Sequence, residues 1–244
     1  MLRAVLIVLW IVVCIVLTIP LLLFETVYHF VDREASELQS QAVARFLMKG
    51  VLRISGARVT VKGTENIPKG EGVLFVPNHR SYFDFVLTFS YITPLYNIGK
   101  KELGFIPLFG QWVWLIGTLL LDRSSRKKGY KIIERAAEEV KTGKNMLIYP
   151  EGTRNKGKME EPLRFREGSL KISTWSGCKV IPVAMLYTRD IYENHRPFVK
   201  PTDVKMIFGT PIDPAALSEE EKKSYGKLCR DTIVQMMLEE EKNV

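Results

Sequence analysis

The chain has 244 residues, 46% hydrophobic and 25% charged, with a formal net charge of +8. Those values exclude a disordered or low-complexity chain and allow one substantial domain with an appendage. The positive charge favours anionic partners, and the widely separated Cys14, Cys178 and Cys229 make neither a metal nor a redox spacing.

Residues 4–24 contain no charged side chain, and such a run is long enough to cross a bilayer. Arg3 precedes it as in a signal peptide, but the stretch exceeds a usual h-region and no small-x-small site follows, so it is expected to be retained. Pro20 predicts a kink or stop near its end. Over residues 31–54 the period is helical. Ala35, Leu38, Ala42, Phe46 and Leu47 fall near one face, and Arg33, Glu37, Gln41, Arg45 and Lys49 lie mostly elsewhere.

Residues 1–54 are therefore expected to be membrane-anchoring helices. Either one helix spans and an amphipathic one follows, or a bent pair lies in one leaflet. By periodicity alone, packing of residues 31–54 on the chain's own globular part is an equal alternative. The basic remainder and the absence of a disulfide framework fit the cytoplasmic side of the inner membrane.

Residues 55–244 read as an α/β domain. Strands are expected at 58–62, 73–76, 96–98, 118–121, 146–149, 180–186 and 205–208, with helices at 83–92, 126–141, 168–175 and 219–240. Continuous apolar strands such as Val73-Leu74-Phe75-Val76 imply a central, mostly parallel or mixed sheet covered by helices on both faces.

Two stretches following such strands carry the chemistry, and the carboxyl edge of an open sheet is where α/β folds bind ligands. The first is Asn78-His79-Arg80-Ser81-Tyr82-Phe83-Asp84. On one helix, residues five apart are rotated by about 140°, so His79 and Asp84 meet only if the chain turns between them. Pro77 ends the strand, and Ser81-x-x-Asp84 has the capping-box pattern of a helix start. His79 then acts as a base and Asp84 fixes its tautomer. The plain alternative is a loop histidine beside a capping carboxylate.

The second stretch is Glu151-Gly152-Thr153-Arg154. Gly152 permits a tight turn, Thr153 offers a hydroxyl and Arg154 a bidentate fork suited to a phosphomonoester, while Glu151 can orient an arginine or meet a substrate hydroxyl. Lys101 and Arg123, each beginning the segment after a strand, are further candidates among many solvated cations. His29 and His195 lack a carboxylate at a persuasive spacing and are read as structural.

With these residues in order, the chain resembles the bacterial 1-acylglycerol-3-phosphate acyltransferases of the glycerolipid acyltransferase superfamily. His79-x-x-x-x-Asp84 resembles the catalytic motif. Lys101-Glu102 through Pro107 and Gly110 to Asp122-Arg123 resembles the second, Glu151-Gly152-Thr153-Arg154 the third and Val180-Ile181-Pro182-Val183 the fourth. The departures are Tyr149, where phenylalanine is common, and Asn155, where serine is frequent.

The resemblance implies transfer of an acyl group from acyl-CoA or acyl-carrier protein to the sn-2 hydroxyl of lysophosphatidic acid among membrane phospholipids. It implies His79 and Asp84 as catalytic residues, and Lys101, Arg123, Glu151, Gly152, Thr153 and Arg154 as substrate-binding residues. No metal or other cofactor is expected, because a thioester is already activated. Glycerol-3-phosphate or another lysophospholipid as acceptor, a lipid hydrolase, and a tethered lipid binder remain alternatives. Nucleic acid is disfavoured, since the basic residues are not interleaved with an aromatic platform.

Overall fold

A computed structural model describes residues 1–242, with the side chain of Arg126 outside the description. The chain opens with helices α1 (Leu2–Leu17), α2 (Ile19–Tyr28) and α3 (Arg33–Ser55). A bend of 54° separates α1 from α2. Pro20 lies in the first turn of α2, where its missing N–H leaves no intrahelical bond unmade, so it begins a helix there. Among the described residues no single helix is long and apolar enough to cross a membrane, although α1 and α2 together reach that length and composition.

Helix α3 packs through polar positions and leaves part of its apolar stripe exposed. Ser36, Glu37, Ser40 and Gln41 are buried, whereas Leu38 is 42% and Phe46 65% exposed. The inward polar groups find partners that a helical wheel cannot reveal. Glu37 binds Arg33 at 2.7 Å and Lys144 at 3.0 Å, and the Gln41 amide donates to the Ile116 carbonyl and accepts the Leu95 N–H. Asp32 caps the start of α3 by accepting the Ala35 N–H, and Gly56, at φ +75°, ends it in the left-handed conformation.

The rest alternates β1 (Arg58–Lys62), β2 (Leu74–Pro77), α4 (Phe83–Tyr91), β3 (Tyr96–Lys100), α5 (Phe109–Leu115), β4 (Leu119–Leu121), α6 (Arg126–Lys141), β5 (Met146–Leu147), α7 (Glu167–Ser176), β6 (Val180–Leu186) and β7 (Asp203–Phe208), then α8 (Glu219–Lys223) and α9 (Tyr225–Lys242). The strands form one seven-stranded sheet in the order β1-β7-β6-β2-β5-β3-β4. Every neighbouring pair is parallel except β6 and β7.

Side chains alternate between two cores, which is why the central strands read as unbroken apolar runs. Leu74 and Val76 face α6, α7 and α9, while Val73 and Phe75 face α3 and α4. Two expectations shift in detail. The strand expected at 146–149 pairs only to Leu147, and the helix expected at 219–240 breaks at Ser224.

Parallel pairing makes β2, β3, β4, β5 and β6 end at the same edge. The loops bearing His79, Lys101, Arg123 and Glu151 therefore emerge together.

Candidate active site

Pro77 closes β2, and the next side chain takes over the ladder. The Asn78 amide accepts the Met185 N–H at 2.7 Å and donates to the Met185 carbonyl at 2.9 Å, clamping this strand end to β6. The chain then turns and starts α4. Asp84, in the first turn and fully buried, aims Oδ2 back at the turn. That oxygen accepts the Arg80 N–H at 2.6 Å and the Ser81 N–H at 2.7 Å, and lies 2.9 Å from His79 Nδ1. The Ser81–Asp84 half of the expected capping box is thus present, and the same carboxylate meets the histidine.

The His79 imidazole is 19% exposed on its side chain and stacks on Tyr149, with ring centroids 4.1 Å apart. Burial, with Asp84 adding to it, pushes the Tyr149 phenol well above its ordinary pKa, so this ring is a neutral wall. With Nδ1 directed at the carboxylate, Nε2 is the ring nitrogen left for chemistry.

Glu151 joins the two motif loops. It is 4% exposed; Oε1 accepts the His79 N–H at 2.5 Å and Oε2 the Leu163 N–H at 2.9 Å. Each oxygen accepts one backbone donor, so the geometry gives Glu151 a loop-positioning task. Burial outweighs those bonds and raises its pKa to about 6. A second tie runs from the Asn155 N–H to the His79 carbonyl at 2.7 Å.

Gly152 sits at φ +71°, a backbone conformation that favours glycine, and a Cβ there would lie 3.0 Å from the movable Arg166 guanidinium. Arg123 donates to the Gly152 carbonyl. Thr153 is exposed on the same turn. Arg154 stacks over the Tyr82 ring at 3.6 Å and reaches Glu193 Oε1 at 3.4 Å.

Lys101 lies farther along the edge and is already paired, with Nζ 2.9 Å from Asp122 Oδ2. The Ser124 hydroxyl and then Lys101 hold the Asp122 carboxyl well below its ordinary range.

The sequence reading passed over Glu193, in the connection between β6 and β7. Its side chain is 4% exposed, Oε2 accepts the Ser81 hydroxyl at 2.7 Å and Oε1 the Tyr82 N–H at 2.8 Å. One carboxylate thus braces the start of α4 and holds Arg154, and no local pattern around Glu193-Asn194-His195 signals it. Arg80 was also passed over: its guanidinium is buried and donates to the Gly157 carbonyl at 2.8 Å. Among the described residues no cluster of histidine, cysteine or carboxylate side chains is arranged to hold a metal ion.

The geometry is that of an imidazole with an orienting carboxylate, with guanidinium groups on neighbouring loops of the same sheet edge, which suits removing a proton from an anionic substrate's hydroxyl. A family model described as Acyltransferase matches residues 58–186. The chain is 28% identical to a 1-acyl-sn-glycerol-3-phosphate acyltransferase of Borreliella burgdorferi, over 79% of this chain and 77% of the relative. Against the protein of that name from Escherichia coli K12 it is 28% identical, over 78% and 76%. Among solved structures, the crystal structure of the 1-acyl-sn-glycerophosphate (LPA) acyltransferase PlsC from Thermotoga maritima superposes with a TM-score of 0.78. Identity is 27%, covering 97% of this chain and 95% of that one.

Proposed function

The chain belongs to the acyltransferase family, and from that premise we propose that it acylates the sn-2 hydroxyl of lysophosphatidic acid, using acyl-CoA or acyl-carrier protein and giving phosphatidic acid. The observation that carries the mechanism is the His79–Asp84 pair at 2.9 Å, with the carboxylate buried and fixed by two backbone donors. Asp84 holds the proton on Nδ1, so Nε2 accepts the hydroxyl proton as the oxygen attacks the thioester carbonyl. The new C–O bond forms, the C–S bond breaks, and the proton passes from Nε2 to the leaving thiolate. Arg154, assisted by Arg123, meets the acceptor phosphate as a charge-assisted, fork-shaped donor.

The acceptor's origin agrees with the N-terminal helices. Leu9 and Val12 on α1, Phe24 on α2 and Phe46 on α3 turn large apolar side chains outward. Exposed apolar side chains of this kind favour a lipid interface. We place these helices in the inner membrane, with the α/β part on the cytoplasmic side.

The test offers matched acyl thioesters with lysophosphatidic acid, glycerol-3-phosphate and lysophosphatidylcholine to the full chain in detergent or lipid, and identifies products by mass. Phosphatidic acid from the first acceptor alone supports the assignment. Free fatty acid released without any acceptor would make the protein a hydrolase, and a stronger glycerol-3-phosphate product would change the acceptor.

A further inference from the structure

The two faces of the sheet are dressed differently. Helices α1, α3 and α4 cover one and α6, α7 and α9 the other, and most of the large apolar side chains left exposed belong to the N-terminal helices. On the opposite face, where the segment entering α7 meets the α8–α9 junction, lies a cleft of about 430 Å³. Arg164, Lys223, Lys227 and Arg230 line it, with Phe165 and Glu167. Its size is that of a small-ligand site and its charge is that of a polyanion site.

The walls are built from fixed parts. Glu167 accepts the Gly226 N–H at 2.7 Å, which closes the cleft between α7 and α9. Arg230 is held by the Pro162 carbonyl at 2.8 Å and shares Asp231 with Lys227. Arg164 and Lys223 carry no ion pair among the described residues.

The cleft is also tied to the catalytic edge. Arg164 follows Leu163, whose N–H donates to Glu151, and the other oxygen of that carboxylate holds the His79 N–H. Arg166, two residues on, lies against Gly152 and carries the positive track to Arg123.

We infer that this cleft binds the phosphate-rich nucleotide end of a coenzyme A thioester, an inference that rests on the acyl-transfer reading above. A lipid acceptor reaches His79 from the side of the apolar helices, and a water-soluble donor from the opposite face. Three phosphates on a compact nucleotide match several cations gathered in a concavity, and the long uncharged pantetheine arm bridges the remaining distance to His79. An acidic carrier protein would instead need a broad surface, about 800 Å² on each partner in an ordinary complex.

The experiment compares wild type with the double variant Lys223→Ala/Lys227→Ala, both exposed positions, as full chains in detergent. Donors are acyl-CoA, the matched acyl-pantetheine, which lacks the nucleotide, and acyl-carrier protein. The KM for acyl-CoA is expected to rise about tenfold, with kcat and the KM for acyl-pantetheine unchanged. Binding of adenosine 3′,5′-bisphosphate, measured by calorimetry without turnover, is expected to weaken by the same factor. An unchanged KM for acyl-CoA overturns the inference, as does an equal loss with acyl-pantetheine. A loss confined to acyl-carrier protein also overturns it and makes the cleft a protein-docking surface. If wild type transfers no acyl group at all, the acyl-transfer reading fails, and the calorimetric comparison still decides whether the cleft holds the nucleotide.

Discussion

The loop after β2 and the loops after β3 and β5 emerge at one sheet edge, yet they are held by different means. Asp84 Oδ2 is fixed by the Arg80 and Ser81 backbone N–H groups, and the His79 N–H and carbonyl are taken by Glu151 and Asn155. Arg154 and Lys101 are held by side chains: Arg154 by Glu193 and the Tyr82 ring, Lys101 by Asp122. Backbone donors have nowhere to go, so the His79–Asp84 pair is held in one geometry. A side-chain carboxylate at 3.4 Å can be exchanged for a phosphate oxygen, so Arg154 keeps its geometry and remains available.

The strongest way to break this contrast is to disable the fixed side. His79→Ala should lower kcat by about 10²–10⁴-fold, and Asp84→Asn should do nearly as much. Asp84→Asn suits the buried site. Its carbonyl can replace Oδ2, and its amide falls where Oδ1 has no partner in the native structure. Melting temperatures within a few degrees of wild type would confirm that catalysis, and not folding, was removed.

Next in size, Arg154→Ala should raise the KM for a phosphorylated acceptor by about 10–100-fold, the value of a charge-assisted pair. An acceptor lacking the phosphate should barely distinguish variant from wild type. Equal losses with both acceptors would move Arg154 from the phosphate to the scaffold.

Glu151→Gln probes the bridge between the loops. Because the folded pKa is raised to about 6 from an ordinary 4.5, the folded state binds the extra proton more readily. Its contribution to stability is therefore fully present below pH 4.5 and is lost as pH rises through 6, by about 2 kcal/mol. Activity runs the other way, because a protonated Glu151 can no longer accept both backbone N–H groups. The Gln variant should show about tenfold lower kcat at pH 8 and no stability slope between pH 4.5 and 6, measured by denaturation across pH. A slope retained in the variant would assign it to another group.

Lys101→Ala should have the smallest effect, less than about fivefold on acceptor KM, because its ammonium already answers Asp122 in a partly exposed pair. A larger change would show that this pair opens when substrate binds.

Most strands and helices were legible because their physics is local. Unbroken apolar runs marked β2 and β6, and the helix expected at 126–141 has those same limits in the structure. His79 and Asp84 were legible as a pair because Pro77 and Ser81 force the turn that joins them. The burial of the polar positions of α3 was not, since Glu37 and Gln41 are satisfied by Lys144, Leu95 and Ile116 from distant parts of the chain. Glu193 was invisible for the same reason: it acts on Ser81, Tyr82 and Arg154 across the long β6–β7 connection.

The residue types alone marked the imidazole, the guanidinium and the strand ends that carry them, because backbone stiffness and apolar burial act over a few neighbours. Parallel strand order decided that those ends meet, and folding across long separations decided which carboxylate serves which task. Asp84 turns toward the imidazole, Glu151 spans two loops and Glu193 restrains the arginine, since a buried charge takes whichever donor the packed chain brings within reach.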